Sequence, residues 1–240
     1  LDPNDADTYG TRGAVYAALE QYPEALADYS EALQLDPDNT WTLANRGYAF
    51  YASADYAAAL TDLNAAIQLN PQYTWAIVAR GATYNDLAEY KKALLDLTRA
   101  LSLDPDYDWA LALRGSTYRA LGEYEKAIAD LTQALALTPT YLWAQTERGR
   151  SYQEMGDYER ALADFNAVIE QDPTYDWALV QRGMLYDASA QYEAALADFT
   201  QALAINPAYD WALAQRGETY QALEAYEEAL ADFTAAIALD

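Results

Sequence analysis

Cysteine and histidine are both absent from the 240-residue sequence. The lack of cysteine excludes disulfides and thiolate metal sites, and it leaves the compartment open, cytoplasmic or secreted. The lack of histidine removes the commonest general base and metal ligand. The sequence also has no glycine-rich phosphate loop, no nucleophile-elbow motif, no visible signal peptide and no apolar run long enough to span a bilayer. We therefore expect a soluble protein without catalytic activity, cofactor or membrane insertion.

Positive charge is scarce. The sequence has 14 lysines and arginines against 38 aspartates and glutamates, a net charge of −24 at pH 7. Such a charge repels the phosphates of nucleic acids and of anionic membranes. The composition therefore argues against a nucleic-acid partner and favours either plain solvation or a cationic protein partner.

What the sequence does contain is a period of 34 residues. Seven Arg-Gly pairs, from Arg12-Gly13 to Arg216-Gly217, keep this period without a slip. So do seven prolines: Pro3, Pro37, Pro71, Pro105, Pro139, Pro173 and Pro207. Each repeat can bury its apolar face only against a neighbour, so a fixed period indicates one continuous stack rather than separate domains. We predict a single domain over 1–240, with repeats 3–36, 37–70, 71–104, 105–138, 139–172, 173–206 and 207–240.

Residues 105–138 show what one repeat contains. Apolar and small residues recur at three- and four-residue steps from Leu111 to Leu121, and again from Tyr124 to Leu135, which predicts two amphipathic helices. Gly122, between them, suits the left-handed conformation that ends a helix. Pro139 then closes the repeat, because proline cannot continue a helix.

A 34-residue helix–turn–helix with Gly, Tyr, Ala, Phe or Leu, Ala and Pro at these offsets resembles the tetratricopeptide repeat (TPR) family. The resemblance covers the whole chain. It implies an all-α fold, a right-handed α-solenoid, and a role in protein–protein interaction. Some members hold a partner's C-terminal carboxylate with Lys and Asn one turn apart on the first helix. The matching positions here, such as Ala44 and Tyr48 or Thr146 and Arg150, lack that pair, so this activity is not carried over.

Arginines and aspartates recur as strictly as the prolines. At about 100° per residue, each arginine flanks the apolar stripe of the first helix and each aspartate that of the second. We expect them to pair, because a guanidinium presents a planar fork of donors to a carboxylate. The alternative is an arginine array that binds phosphate or carboxylate ligands. The members are Arg12, Arg46, Arg80, Arg114, Arg148, Arg182 and Arg216, with Asp28, Asp62, Asp96, Asp130, Asp164, Asp198 and Asp232.

Tryptophan occupies one position in every repeat except the first, which has Asp7 there. With Leu111 set at 0°, Trp109 falls about 160° away, off the apolar stripe of its helix. In the TPR family this side of the first helix lines the concave groove where partners bind, so the rings are a candidate interaction surface. The alternative is that each ring packs on a neighbouring repeat, beside a repeated tyrosine. The six are Trp41, Trp75, Trp109, Trp143, Trp177 and Trp211.

The two ends of the sequence differ from each other. The last helix keeps the apolar stripe of the interior helices, and we predict its residues Tyr226, Leu230, Phe233 and Ile237 as a C-terminal assembly face. In the first repeat, Asp5 and Asp7 stand where later repeats have Tyr and Trp, which is typical of a terminal capping repeat.

This first repeat still offers Tyr9, Gly13 and Tyr16 as a docking face. The opening Leu-Asp-Pro, in mid-pattern, indicates a processed product or a fragment.

Two functions remain open from the sequence. The first is a structural subunit whose copies associate end to end into a filament or tube. The second is the recognition arm of a larger regulatory or signalling protein, which binds a peptide or helix in an aromatic groove.

Overall fold

The computed structural model describes residues 5–239, and every regular element in this range is an α-helix. Pro3, the first proline of the series, lies outside the described residues. The helices come in pairs, one pair for each repeat, so the predicted all-α helix–turn–helix architecture is confirmed.

The helices fall into two compact units, which divide after Gly122. The N-terminal unit contains α1 (Ala6–Ala18), α2 (Tyr22–Leu35), α3 (Thr40–Ala52), α4 (Tyr56–Leu69), α5 (Thr74–Asp86), α6 (Tyr90–Leu103) and α7 (Asp108–Ala120). The C-terminal unit contains α8 (Tyr124–Leu137), α9 (Leu142–Met155), α10 (Tyr158–Gln171), α11 (Asp176–Ala188), α12 (Tyr192–Ile205), α13 (Asp210–Ala222) and α14 (Tyr226–Leu239).

Both units are built in two layers. In the N-terminal unit, the first helices of successive repeats (α1, α3, α5 and α7) contact one another, and in the C-terminal unit α9, α11 and α13 do the same. Within each unit, a second helix packs on the first helix of its own repeat and on that of the next, as α2 does on α1 and α3 and as α12 does on α11 and α13. We call the row of contacting first helices the inner layer of each unit.

The close approach of the two helices in a pair depends on glycine in the first helix. At Gly183 an added Cβ would lie 2.7 Å from Cε1 of Phe199, and at Gly47 it would lie 2.8 Å from Cγ of Leu63. Contacts this short do not occur between real side chains, so any larger residue would push the pair apart. The Arg-Gly dipeptide therefore marks where each large second-helix residue enters the core.

The turn inside each pair has a less expected composition. Gly122 and Gly156 have positive φ angles of 76° and 90°, as Gly122 was predicted to have. The same left-handed conformation is also adopted by non-glycine residues, with φ between 56° and 59°, at Glu20, Ala54, Ala88, Ala190 and Glu224. Residues with a Cβ rarely adopt positive φ. At these turns the packing of the two helices of a pair therefore outweighs the backbone preference of the turn residue.

Candidate protein-interaction surfaces

Arginine and aspartate join the two helices of a pair wherever both helices belong to one unit. In repeat six, Arg182 Nε and Nη2 donate to the two carboxylate oxygens of Asp198 at 2.8 and 2.7 Å. The same pairing is seen in Arg12–Asp28, Arg46–Asp62, Arg80–Asp96, Arg148–Asp164, Arg182–Asp198 and Arg216–Asp232. Arg114 and Asp130 belong to different units, and Arg114 lies over the Tyr118 ring. The paired aspartates are buried, so each of these guanidinium groups already bonds a buried carboxylate of its own repeat.

The third guanidinium nitrogen links neighbouring repeats. Arg46 Nη1 donates to Ser30 Oγ at 3.2 Å, and Arg182 Nη1 donates to Asn166 Oδ1 at 2.7 Å. In each case the acceptor lies 16 residues earlier, on the second helix of the preceding repeat; Arg80, Arg148 and Arg216 make the same bond to Asn64, Thr132 and Thr200. Sequence reasoning did not anticipate this bond, which requires knowing how successive pairs stack.

Tryptophan rings lie on the inner layer and are partly buried, except that Trp41 is 43% exposed. Trp41 packs on the preceding first helix, where a Cβ added to Gly10 would lie 3.2 Å from its Cζ3 atom. Four rings contact the tyrosine two residues earlier, with centroids 6.0–6.3 Å apart: Tyr107–Trp109, Tyr141–Trp143, Tyr175–Trp177 and Tyr209–Trp211. The rings therefore pack partly on neighbouring residues, as the packing alternative describes, and part of each ring remains exposed.

In the N-terminal unit, three rings form an aromatic cluster on the inner layer. The Tyr48 ring centroid lies 5.2 Å from that of Trp75 and 6.0 Å from that of Trp109, and the two indoles are 5.1 Å apart. The Trp75 indole nitrogen is buried without a hydrogen-bond partner among the described residues. The cluster is thus apolar and filled by its own rings.

In the C-terminal unit, an arginine covers the corresponding tryptophan. The Arg150 guanidinium carbon lies 5.5 Å from the Trp177 ring centroid, within cation–π range. Arg150 Nη1 also donates to Glu147 Oε1 at 2.6 Å, and Glu147 is only 2% exposed. Tyr48, Glu147 and Arg150 were not predicted from the sequence to have a role in such a surface. The one clue was that Tyr48 and Arg150 both stand 27 residues before a tryptophan.

Burial changes the acidity of the tyrosines beside these rings. Desolvation raises the pKa of Tyr107, Tyr175 and Tyr209 to about 12, because the charged phenolate is disfavoured away from water. Neighbouring carboxylates add to the shift, such as Asp176 beside both Tyr175 and Tyr209, whereas Arg150 lowers the pKa of Tyr209. These phenols stay neutral at physiological pH.

The last helix exposes an apolar face. Ile237 is 78% exposed, whereas the residues at its position in four earlier repeats, Leu33, Ile67, Leu101 and Leu203, are only 7–8% exposed. Leu230 and Tyr226 are exposed as well. Phe233 differs from the expectation, because its ring packs into its own pair, 2.8 Å from a Cβ added to Gly217. We define the α14 face by Tyr226, Leu230, Thr234 and Ile237, which leaves out Phe233.

The first helix exposes a face of its own, but not the predicted one. Gly13 faces its own second helix, because an added Cβ would lie 2.9 Å from the Tyr29 ring. Tyr16 is partly buried against the cluster of Ala25, Tyr29 and Ala49, so the predicted docking face of Tyr9, Gly13 and Tyr16 is wrong for the buried Gly13.

The exposed residues of this helix are different ones. Val15 is 55% exposed although Ala49, Thr83 and Thr219 at its position are fully buried, and the Arg12 side chain is 53% exposed. Asp5 caps the helix by accepting from Asp7 N at 3.2 Å. We define the α1 face by Thr8, Thr11, Arg12 and Val15.

Other kinds of site were sought in the same range. Residues 5–239 contain no group of three or more acidic side chains placed to hold a metal ion. No helix among them is long and apolar enough to cross a membrane.

Family models described as TPR repeat or tetratricopeptide repeat match the chain. One such model alone covers more than half of it, at residues 42–73, 76–107, 178–209 and 212–240. Others match residues 13–54 and 115–156, residues 143–175, and residues 97–129. A search of curated protein sequences gave no match.

Solved structures share the fold. A tetratricopeptide repeat protein from Parabacteroides merdae is 22% identical with a TM-score of 0.79, and the match covers 98% of this chain and 93% of that one. The Cut9–Hcn1 hetero-tetramer of the APC/C gives 17% identity and a TM-score of 0.83, over 91% of this chain and 43% of that one. YrrB, described as a TPR protein with an unusual peptide-binding site, gives 22% identity and a TM-score of 0.56, over 74% and 92%. Similarity at this level of identity shows the fold alone.

Proposed function

Because this chain belongs to the tetratricopeptide repeat family, we propose that it is a protein-interaction scaffold whose copies associate end to end through the α14 face. TPR repeats bind proteins or peptides, and the coarse role follows from the family. The proposal of a finer role, a structural subunit that builds an extended assembly, is supported by the exposed apolar residues of α14.

The observation that carries this proposal is the exposure of Ile237. Its side chain is 78% exposed at a position where Leu33, Ile67, Leu101 and Leu203 are only 7–8% exposed, and Leu230 and Tyr226 extend the apolar surface. Soluble monomers rarely expose contiguous apolar patches of this kind. A contact between two different surfaces of identical chains is heterologous, so it forms a ring if it closes and a filament if it does not.

Sedimentation velocity on the purified 240-residue chain tests the proposal. We expect the mean mass to rise with protein concentration, and to rise further with added salt or at lower pH, because each copy carries −24 charges that repel. Ile237→Asp is expected to abolish the association. Leu95→Asp is the matched control, since Leu95 is an exposed apolar residue on α6, far along the sequence from either end. A monomer at every concentration and salt level would refute the proposal.

A second function is supported by the tryptophan edges of the inner layer. Trp41 is 43% exposed, and aromatic side chains contribute most strongly to binding at protein interfaces. Here the chain would act as the recognition arm of a larger regulatory or signalling protein and bind a peptide or helix. The peptide-binding site ascribed to YrrB shows that a protein of this fold can do so.

Peptide selection from a random library tests this second function. Peptides selected on the intact chain are expected to lose most of their affinity for Trp41→Ala, while the melting temperature changes little. Phe50→Ala, a partly buried residue on the same helix α3, is the control for general loosening. Selected peptides that bind Trp41→Ala as tightly as the parent chain would exclude this surface.

A further inference from the structure

We infer that the α14 face of one copy docks on the α1 face of the next in the register of two interior repeats, with Arg12 Nη1 donating to Thr234 Oγ1 across the joint. The inference rests on the proposed self-association and adds the partner surface, its polarity and the atoms that set the register.

The donor at the joint is Arg12. The five arginines Arg46, Arg80, Arg148, Arg182 and Arg216 each donate Nη1 to the preceding second helix. Arg12 Nε and Nη2 bind Asp28 at 2.6 Å like the others, but its Nη1 makes no hydrogen bond within residues 5–239. Its side chain is 53% exposed, against 18–22% for the five. The α1 face therefore presents an oriented donor.

The acceptor at the joint is Thr234. It follows Thr200 by one repeat, and Thr200 Oγ1 accepts from Arg216 Nη1 at 3.3 Å. Thr234 Oγ1 donates to the Leu230 carbonyl at 2.6 Å and can still accept. Ser30 shows both roles in one hydroxyl, since it donates to the Leu26 carbonyl and accepts from Arg46 Nη1.

The apolar part of the joint follows the same register. Leu203, one repeat before Ile237, shares a buried cluster with Ala212 and Leu213 of the next first helix. In the first repeat those two positions are Thr8 and Tyr9, so the register places Ile237 against them.

Val15 occupies the position of Thr219, which donates to Asp187 on the preceding first helix at 2.7 Å. One repeat after Asp187 lies Gln221, which is exposed. Gln221 and Val15 therefore face each other across the joint, and both become buried.

A joint between two α14 faces would not reproduce these features. It would pack two second helices together, a contact absent between successive pairs among the described residues. It would also leave Arg12 exposed and bring Thr234 no new donor. The head-to-tail joint satisfies both groups and lets seven repeats of one copy continue into those of the next.

Two singly blocked variants test the polarity. Val15→Asp blocks only the α1 face, and Ile237→Asp blocks only the α14 face. Each alone is expected to associate at least about tenfold more weakly than the parent chain. Mixed in equal amounts, they are expected to form a one-to-one complex that grows no further, because each supplies the surface that the other retains. Circular dichroism and thermal melting check that both are folded.

The outcomes separate this inference from the proposal beneath it. If Val15→Asp alone still dimerises, the contact joins two α14 faces, and the register is overturned while self-association stands. Folded variants that do not combine would overturn the register as well. A parent chain that is monomeric throughout removes the self-association itself and the register with it.

Thr234→Val tests the hydrogen bond. It is expected to weaken association about three- to tenfold. Thr61→Val, which removes an exposed hydroxyl that donates to the Ala57 carbonyl, is expected to change nothing. Equal association by both variants would remove Arg12 and Thr234 from the joint.

Discussion

Tyr48 in the N-terminal unit and Arg150 in the C-terminal unit occupy the same position of the repeat, and each covers the tryptophan 27 residues further on. Tyr48 lies 5.2 Å from Trp75 by ring centroids, and the Arg150 guanidinium lies 5.5 Å from the Trp177 ring. The Tyr48 cover is uncharged and also contacts the Trp109 indole. The Arg150 cover is a cation that forms an ion pair with the buried Glu147.

This difference shows which parts of the repeat are free to vary. The helix pair, its glycine contact and its Arg–Asp pair are alike in both units, so the cover over the tryptophan changes surface chemistry without changing the fold. An apolar inner surface in one unit and a charged one in the other would favour different partner segments.

The largest expected effect follows from removing the arginine cover. Arg150→Ala takes the ion pair away from Glu147, which is 2% exposed, and is expected to cost about 3 kcal/mol of unfolding free energy. Urea denaturation measures the loss. Adding Glu147→Gln is expected to recover most of it, because the uncharged amide tolerates burial better. A loss below about 1 kcal/mol would mean that this pair behaves like an exposed one.

Tyr48→Ala, which removes the tyrosine cover, is expected to lower the unfolding free energy by less, about 2 kcal/mol, since Tyr48 is only partly buried. Tyr48→Phe keeps the ring and serves as the control for Tyr48→Ala. The comparison between units is sharpened by Tyr48→Arg, made alone and together with Asn45→Glu, which copies Glu147 and Arg150 into the N-terminal unit. The double variant is expected to be the more stable of the two. Equal stability would show that the glutamate contributes nothing at this position.

Alkaline pH is expected to weaken the C-terminal unit through its buried tyrosines. The folded pKa of Tyr175 and Tyr209 is about 12, above the ordinary value of 10.0, so the folded state retains protons that the unfolded state loses. Their contribution is therefore complete below pH 10 and is lost as pH rises from 10 to 12. Because both tyrosines are partly exposed, we expect each to lose about 1 kcal/mol of unfolding free energy over this pH range. The melting temperature of Tyr175→Phe is expected to fall less between pH 9 and 11.5 than that of the parent chain.

The smallest expected effect concerns the next position along the inner layer. Asn85 in the N-terminal unit accepts from Thr117 Oγ1 at 2.8 Å. Gln153 in the C-terminal unit has Leu185 at the threonine position, and its buried Oε1 has no hydrogen-bond partner within residues 5–239. Gln153→Met removes that acceptor and is expected to raise the unfolding free energy by up to about 1 kcal/mol. Gln221→Met, at the same position but exposed, is the control. Destabilisation specific to Gln153→Met would indicate a bond to water there.

The candidate surfaces were partly predictable. The recurrence of tryptophan marked one side of the first helix, and that side does carry Trp41 with an exposed edge. Tyr48 and Arg150 were not recognised because each covers a ring on a different helix, and a contact across helices has no local pattern. Phe233 was predicted on the C-terminal assembly face because it continues the apolar stripe of α14. That stripe is wide enough for one part to pack on α13 while another part is exposed, and Phe233 lies in the part that packs on α13.

The 34-residue period by itself determined the helix pairs, their boundaries near the prolines and the expectation that the repeated arginines bond repeated aspartates. Periodicity can do this because every repeat must solve the same packing problem against a similar neighbour. Only the tertiary structure decided which side chains of the end helices are exposed and which turn residues are left-handed. It exposed Val15, turned Phe233 into its own helix pair, left Arg12 Nη1 without an acceptor among residues 5–239, and held Ala54 and Ala190 at positive φ. These features depend on which surfaces meet in space, and a sequence pattern specifies surfaces without specifying which of them remain uncovered.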